Sequence, residues 1–190
     1  SSARSSTPAP EGRRPTPGLA EAARLVRDEE ADRRAFLRRH FHAELTDPMA
    51  FDLVLNHGSV QGAAFKSFLS RTPPFDRWFL TRHEGYDASS VVRPRTHPLL
   101  TPFVRPNLSI VHVWTTFSAD QADYDFSNPD VLLDFVAILL DYAERGARLV
   151  RLDAIAYLWK QDGTSCLSHP KTHAVVKLFR AVVDALGLDL

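Results

Sequence analysis

The clearest alternation of apolar and polar positions lies between residues 149 and 153, where the sequence reads L-V-R-L-D. A period of two is typical of a half-buried strand and places Arg151 and Asp153 on the same face. A second strand is predicted over residues 51–57, an apolar run that ends in two polar residues. Both predicted strands therefore carry polar or charged side chains at their carboxyl ends.

Apolar residues at helical spacing predict three helices in the same part of the chain. The first is short and covers residues 63–69. The second begins at Asn128, a good N-cap, and is ended by Gly146. The third covers roughly 172–186. Helix, strand and helix over 128–186 make half of a βαβ repeat, which predicts an α/β fold.

The first 50 residues have a different character. Residues 1–18 are mainly Ser, Pro, Arg and Thr, with too few large apolar groups to offset the entropy of ordering, and are predicted to be disordered. Residues 19–50 turn to Ala, Leu, Arg and Glu, which predicts a charged helical arm. Its charged middle, 27–34, has the simple alternative explanation of a solvated helix face.

Residues 71–117 show little periodicity and many prolines. A stretch of this length is either a linker or an inserted domain that carries function. Aromatic residues such as Trp78 and Tyr86 favour an inserted, irregular loop domain, because linkers seldom contain so many large apolar groups. A brief alternation over 111–117 predicts one strand near its end.

The composition, 44% hydrophobic and 24% charged in a chain of 190 residues, is ordinary for a soluble globular protein with one sizeable core. A formal net charge of zero predicts neither a nucleic-acid nor a membrane partner. Cys166 is the single cysteine, which excludes an intramolecular disulfide framework and a Cys-rich zinc site. Without a long apolar run or a leader pattern, the sequence favours a cytoplasmic protein, and it predicts no metal and no cofactor.

Candidate chemistry lies at the ends of the two predicted strands. A guanidinium two residues before a carboxylate holds that carboxylate ionised, so Asp153 could serve as a nucleophile with Arg151 beside it. An ordinary ion pair on a sheet surface is the alternative. Asn56 and His57 would face a ligand if their strand belongs to a parallel barrel, although a lone histidine at a strand end is often a hydrogen-bonded structural residue.

Four motifs together resemble the sucrose-phosphorylase-like branch of glycoside hydrolase family 13. They read D-L-V-L-N-H at 52–57, V-V-R-P-R-T-H-P-L-L-T-P-F at 91–103, V-W-T-T-F-S-A-D-Q at 113–121, and R-L-D-A-I-A-Y-L-W-K at 151–160 with G-T-S-C just after. The resemblance runs from residue 51 to about 185. It implies an α/β fold in which residues 51–190 are an incomplete (β/α)8-barrel fragment with the inserted irregular loop domain, after the disordered tail and helical arm.

The resemblance also implies roles for individual residues and a retaining transfer of a glucosyl group from sucrose or a related glucoside, with inorganic phosphate as one acceptor. Asp153 matches the nucleophile and Arg151 the residue that orients it, while Asp52 matches a structural position. The matching substrate contacts are His57, Asn56, Phe117 and Gln121, and the weaker phosphate candidates are Arg93 and Arg95. Gly58 stands where the family has a larger apolar residue.

A retaining mechanism needs a second carboxylic acid about 5 to 5.5 Å from the nucleophile. In the family this acid follows on the next barrel strand, and the sequence ends at Leu190 before such a strand. We therefore expect a fragment that carries the nucleophile and is inactive alone. A non-catalytic carbohydrate-binding or interaction module is the alternative, and the open sheet edges of a half-barrel predict self-association.

A separate resemblance covers residues 19–56. The run R-D-E-E-A-D-R-R-A-F-L-R-R-H-F, followed by T-D-P-M-A-F-D-L-V-L-N, is similar to the arginine-rich lid and next strand of bacterial cytidylate-kinase-like proteins. It implies Arg27, Arg33 and Arg34 as contacts to nucleotide phosphates. The sequence contains no G-x-x-x-x-G-K-[ST] loop, so a kinase-like remnant without phosphoryl transfer is the expectation.

Overall fold

The structure, a computed structural model, describes residues 50–190. The predicted disordered tail over 1–18 lies outside these residues. So does nearly all of the helical arm, including Arg27, Arg33 and Arg34. The resemblance of this arm to cytidylate-kinase-like proteins therefore stays a prediction.

The described residues form seven strands and three α-helices. In chain order these are β1 (Ala50–Val54), β2 (His57–Ser59), α1 (Ala63–Leu69), β3 (Thr81–Arg82), β4 (Leu100–Val104), β5 (Ile110–Trp114), β6 (Gln121–Asp123), α2 (Pro129–Glu144), β7 (Leu149–Asp153) and α3 (Pro170–Ala185). Short 3-10 turns cover Phe75–Arg77 and Ile155–Tyr157. The predicted strand over 149–153 and the helix over 63–69 are confirmed.

β1 and β7 pair as a two-stranded parallel sheet. Their register sets Asp52 opposite Arg151 and Val54 opposite Asp153. Parallel neighbours require a long crossover, and here it contains the inserted strands and α2. The described residues thus form a partial α/β unit with no closed barrel, and the predicted fold class is confirmed at that level.

The run predicted as one strand over 51–57 divides into two. β1 ends at Val54, Leu55 and Asn56 are fully buried, and His57 begins β2, which pairs antiparallel with β6. At this bend the Asn56 side chain accepts a hydrogen bond from Lys160, and the Asn56 carbonyl accepts one from the Tyr124 backbone N–H. His57 is therefore the first residue of a new strand and not the last residue of β1.

The inserted region is more regular than the sequence predicts. Strands β3, β5 and β4 form a three-stranded antiparallel sheet in that order within the stretch expected to be irregular. Proline obscures the strand pattern, yet Pro102 lies in the edge strand β4 opposite His112. An edge strand tolerates proline because its missing N–H can face away from the ladder.

The two long helices begin as their sequences indicate. Asn128 accepts a hydrogen bond from the backbone N–H of Asp130, and Gly146 follows α2 with a φ of 91°. α3 begins at Pro170, two residues before the predicted start, because His169 Nδ1 accepts from the N–H of Lys171. Within residues 50–190, no helix is both long and apolar enough to cross a membrane.

One cluster of buried side chains joins β1, all three helices and the inserted sheet. Its members are Leu53, Leu55, Phe65, Phe68, Trp78, Phe79, Val113, Ala122, Phe126, Val131, Phe135, Leu139, Leu158, Val175, Phe179 and Val183. Phe65 and Phe68 of α1 are 1% and 2% exposed. Leu178 on α3 is 40% exposed, because the buried stripe of this helix runs through 175, 179 and 183.

Gly58 leaves room for the ring of Tyr124. A Cβ at this position would meet Tyr124 Cζ at 2.7 Å and would come closer still to the hydroxyl. The ring stacks on Phe79 at a centroid distance of 5.0 Å and meets the edge of Phe135 at 5.2 Å. The space that a larger residue at position 58 would occupy is therefore filled by the Tyr124 ring, and Tyr124 directly follows β6.

We expect Gly58→Ala to lower the free energy of unfolding by about 1 to 3 kcal/mol, because the new methyl group must displace a packed aromatic ring. Denaturant unfolding measures this loss. The same substitution in a Tyr124→Ala background should cost clearly less, and Ser59→Ala, at the exposed next position, serves as a control. Equal losses in both backgrounds would contradict the explanation.

In the parallel pair, each strand has one edge that no described strand covers. An apolar groove of about 230 Å³ lies beside β7. Its apolar lining consists of Leu139, Leu149, Val150, Leu152, Val176, Phe179, Val183 and Leu190. Self-association through these open edges stays a prediction.

Candidate functional site

Arg151 lies between two carboxylates on the parallel strand pair. Its Nε donates to Asp52 Oδ1 at 2.7 Å, and Nη2 donates to Asp52 Oδ2 at 3.3 Å. The remaining terminal nitrogen, Nη1, lies 3.4 Å from Asp153 Oδ1. The structure thus brings Arg151 and Asp153 together as predicted, and it adds Asp52 as the closer partner of the guanidinium.

This charge cluster is better suited to orientation than to stability. The side chains of Asp52, Arg151 and Asp153 are 58%, 37% and 45% exposed, and ion pairs this open to solvent contribute little to folding. The hydrogen bond to Asp52 raises the pKa of the Arg151 guanidinium above its usual value, although partial burial lowers it. Asp153 therefore has a permanent positive charge beside it.

Ala154 turns the chain sharply after Asp153. Its φ of 57° and ψ of 18° lie in the left-handed region, which residues other than glycine seldom adopt. The 3-10 turn Ile155–Tyr157 follows directly. Backbone strain of this kind is frequent at functional sites, and here it occurs at the residue next to the candidate nucleophile.

Three rings make an aromatic cluster close to these charges. The ring centroid of Phe117 lies 5.3 Å from that of His57 and 5.2 Å from that of Tyr157. His57 and Phe117 were predicted from separate motifs, and the structure places them in contact. Tyr157, four residues after Asp153, completes the cluster.

The environment of His57 favours its neutral form. Burial lowers the pKa of its imidazole below 6.5, opposed mainly by the negative charge of Asp123 and, among others, that of Asp153, while the positive charge of Lys160 lowers it further. Its Nδ1 is buried without a hydrogen-bond partner among the described residues. A charged imidazole would need an acceptor there, so the geometry also disfavours protonation.

This environment predicts a pH dependence of stability. Because the folded state lowers the pKa of His57 below the unfolded value of 6.5, the unfolded state binds more protons in that window. The contribution of His57 is therefore complete above pH 6.5 and is lost as the pH falls through the lower, folded pKa. Urea unfolding between about pH 8 and pH 5 should show this slope. It should be smaller in His57→Gln, and equal slopes would refute the assignment.

Asn56 lies in a buried polar network. Its Oδ1 accepts a hydrogen bond from Lys160 Nζ at 2.5 Å, and Nζ also lies 2.6 Å from Asp123 Oδ2. Asn56 Nδ2 has no hydrogen-bond partner among the described residues. Asn56 is fully buried, so its side chain packs inside the protein and does not face solvent.

Gln121 begins β6 and pairs with Ser59 of β2. Its Oε1 accepts a hydrogen bond from the Ser118 hydroxyl at 2.8 Å. The short β2–β6 ladder therefore carries His57 and Gln121 on neighbouring strands. The side-chain amide nitrogen of Gln121 makes no hydrogen bond within residues 50–190.

Arg93 and Arg95 are not joined to the other candidates. Both are exposed and make no ion pair or hydrogen bond with any described residue. Their loop is fastened near its ends, because the Val92 N–H donates to the Ser165 carbonyl and His97 Nε2 lies 2.9 Å from the Thr115 carbonyl. A phosphate contact by either arginine stays a prediction.

Sequence reasoning missed four residues of this region, namely Lys160, Asp123, Thr116 and Tyr157. Lys160 gives a detectable signal, since it is the one charged residue in the apolar run 154–160. Asp123 and Thr116 give none, because they meet only through tertiary folding. In the part of the chain that the structure describes, no group of three or more His, Cys, Asp or Glu side chains could hold a metal ion.

The fold and the site define a class of protein. The sucrose 6F-phosphate phosphorylase structure from Thermoanaerobacter thermosaccharolyticum matches 73% of this chain with a TM-score of 0.66 and 24% identity, a likeness that concerns the fold alone. That alignment covers 31% of the phosphorylase. A second matching structure, described as a family GH13_31 enzyme, covers 72% of this chain with a TM-score of 0.57 and 15% identity, and no family model matches the chain. The described segment thus has the fold of part of such enzymes.

Two curated relatives narrow this class. A glucosylglycerate phosphorylase of Spirochaeta thermophila is 51% identical over 133 residues, which are 70% of this chain. A sucrose phosphorylase of Agrobacterium vitis is 33% identical over an alignment 151 residues long that covers 73% of this chain. The chain spans only 22% of the first relative and 30% of the second. The segment is therefore similar to glucosylglycerate and sucrose phosphorylases over about a quarter of their length.

Proposed function

We propose that residues 50–190 are the nucleophile-bearing segment of a retaining glucoside phosphorylase. The observation that carries this proposal is the arrangement of Asp52, Arg151 and Asp153 on two parallel strands of a phosphorylase-like segment. A guanidinium that is held by one carboxylate orients the second carboxylate through its free nitrogen. Asp153 is then an oriented nucleophile.

In the proposed reaction an Asp153 oxygen attacks the anomeric carbon of a glucoside. The glycosidic bond breaks, and the leaving oxygen takes a proton from a second carboxylic acid that we assign to no described residue. The product is a glucosyl ester on Asp153. Inorganic phosphate then attacks the same carbon, which releases glucose 1-phosphate and restores the carboxylate.

The aromatic cluster and Gln121 would form the sugar-binding surface. The Phe117 face is suited to stacking on a sugar ring, while neutral His57 can exchange hydrogen bonds with hydroxyl groups. The Gln121 amide nitrogen supplies a further donor. Arg93 and Arg95 are candidates for phosphate contacts because they are exposed and carry no carboxylate partner in the described region.

Glucosylglycerate is the first substrate to test. The glucosylglycerate phosphorylase is 51% identical in the matched region, against 33% for the sucrose phosphorylase. Substrate choice follows the transition-state contacts of individual side chains, and a segment closer in sequence shares more of them. Sucrose is the second substrate to test.

The proposal is tested with the 190-residue polypeptide and an α-glucosyl fluoride. Because we assign the second acid to no residue of 50–190, we expect no turnover of glucosylglycerate or sucrose, with or without phosphate. Fluoride leaves with little acid assistance, so a slow covalent glucosyl adduct should form, and peptide mapping should locate it on Asp153. Steady production of glucose 1-phosphate from glucosylglycerate or sucrose would show that the polypeptide supplies a second acid. Sugar binding without any adduct would favour a non-catalytic binding module.

A further inference from the structure

Lys160 and Asp123 form an ion pair that is almost wholly buried. Lys160 Nζ lies 2.6 Å from Asp123 Oδ2, with side-chain exposures of 2% and 0%. Removing two charges from water is costly, and apolar residues of similar volume often give equal or greater stability. The pair is therefore better explained as fixing the geometry of the groups around it than as stabilising the fold.

The pair organises further buried polar groups. Lys160 Nζ donates to Asn56 Oδ1 at 2.5 Å. Asp123 accepts from the Thr116 backbone N–H at 3.1 Å and from the Thr116 hydroxyl at 2.5 Å. The Trp114 indole N–H donates to that same hydroxyl at 3.2 Å. The network thus joins four separate segments of the chain, those that contain Asn56, Thr116, Asp123 and Lys160.

Each of these segments carries a residue of the candidate sugar site. Asn56 directly precedes His57, Thr116 directly precedes Phe117, and Asp123 lies in the three-residue strand that begins with Gln121. Lys160 lies three residues after Tyr157, which contacts Phe117. A shift of any network member therefore moves the backbone beside a sugar-contact residue.

We propose that Lys160 and Asp123 are positioning residues, whose buried ion pair holds His57, Phe117 and Gln121 in the relative placement that a bound glucosyl unit requires. The part of this inference that names a glucosyl unit as the ligand rests on the proposed function. The geometric part does not, because it concerns only how four segments of this chain are held together. The two parts are therefore measured separately.

The test uses the 190-residue chain with Lys160→Gln/Asp123→Asn. This double variant removes both charges, while its two amides can still exchange hydrogen bonds with each other, Asn56 and Thr116. The matched control is Arg180→Gln/Asp184→Asn on α3, where Nη2 lies 2.6 Å from Oδ1 but the side chains are 51% and 63% exposed. Both variants lose one ion pair, and only one of the pairs touches the candidate site.

Two measurements are made on each folded variant. NMR follows the nuclear Overhauser effect between the rings of His57 and Phe117, whose centroids lie 5.3 Å apart, and the His57 signals are assigned by their loss in His57→Gln. A distance-dependent signal is needed because Asp123 and Lys160 act electrostatically on His57, so the loss of their charges would shift its resonances even without movement. Mass spectrometry follows the rate of adduct formation on Asp153. In the Lys160/Asp123 variant we expect a weaker effect between the His57 and Phe117 rings and labelling about 10 to 100 times slower, since misplacement by an ångström can cost that much. The control should match the parent in both.

An unchanged effect between the His57 and Phe117 rings in a folded Lys160/Asp123 variant would overturn the inference, whatever the labelling rate. If the parent forms no adduct but the effect between the rings weakens in the variant, positioning is supported and the proposed function fails. If the double variant does not fold, Thr116→Val decides, because it deletes one hydrogen bond to Asp123 and leaves both charges. A weaker effect between the two rings in Thr116→Val would support positioning, and an unchanged one would overturn it.

Discussion

Replacing Asp153 by Asn is expected to abolish the covalent adduct formed from an α-glucosyl fluoride. The amide that replaces the carboxylate has no negative charge and cannot form a stable glucosyl ester. Arg151 attracts and orients a negatively charged carboxylate, so it does not act in the same way on the neutral amide. Peptide mapping by mass spectrometry should therefore show a labelled Asp153 peptide in the parent and none in Asp153→Asn.

Asp52→Asn is the matched control for this experiment. Asp52 is also a carboxylate partner of Arg151, lies on the adjacent strand, and is 58% exposed against 45% for Asp153. Asp52→Asn should still form the adduct on Asp153, at a changed rate because Arg151 loses its closer partner. Labelling that persists in Asp153→Asn, or that maps to Asp52 in the parent, would refute Asp153 as the nucleophile.

Phe65→Ala is expected to lower the free energy of unfolding by about 3 to 5 kcal/mol, the usual cost of emptying a buried aromatic site. Phe65 is 1% exposed and its ring contacts those of Phe68, Phe79 and Phe103 at centroid distances of 5.5, 5.0 and 4.8 Å. These contacts join α1 to the inserted sheet. Their loss therefore weakens the connection between two parts of the fold.

Denaturant unfolding of Phe65→Ala and Leu133→Ala measures this effect against a surface control. Leu133 lies on α2 and is 64% exposed, so its truncation should change stability by no more than about 0.5 kcal/mol. A lower midpoint with an unchanged slope would show lost stability in a cooperative unit. Similar midpoints for the two variants would contradict the assigned core.

The sequence alone determined the features that depend on neighbouring residues. The period of two over 149–153 predicts β7 and places Arg151 and Asp153 on one face, and the structure joins them at 3.4 Å. The Asn128 cap and Gly146 likewise bracket α2. Such features are readable because backbone hydrogen bonding and side-chain direction repeat within a few residues.

The tertiary structure decided which distant residues meet. Asp52 and Arg151 are 99 residues apart in the chain, and Asn56 and Lys160 are 104 apart, yet both pairs are hydrogen-bonded. The antiparallel sheet of the inserted region was also missed, because its strands are short and one of them contains Pro102. Strand pairing and buried ion pairs depend on the relative placement of separate elements, which no local period of the sequence encodes.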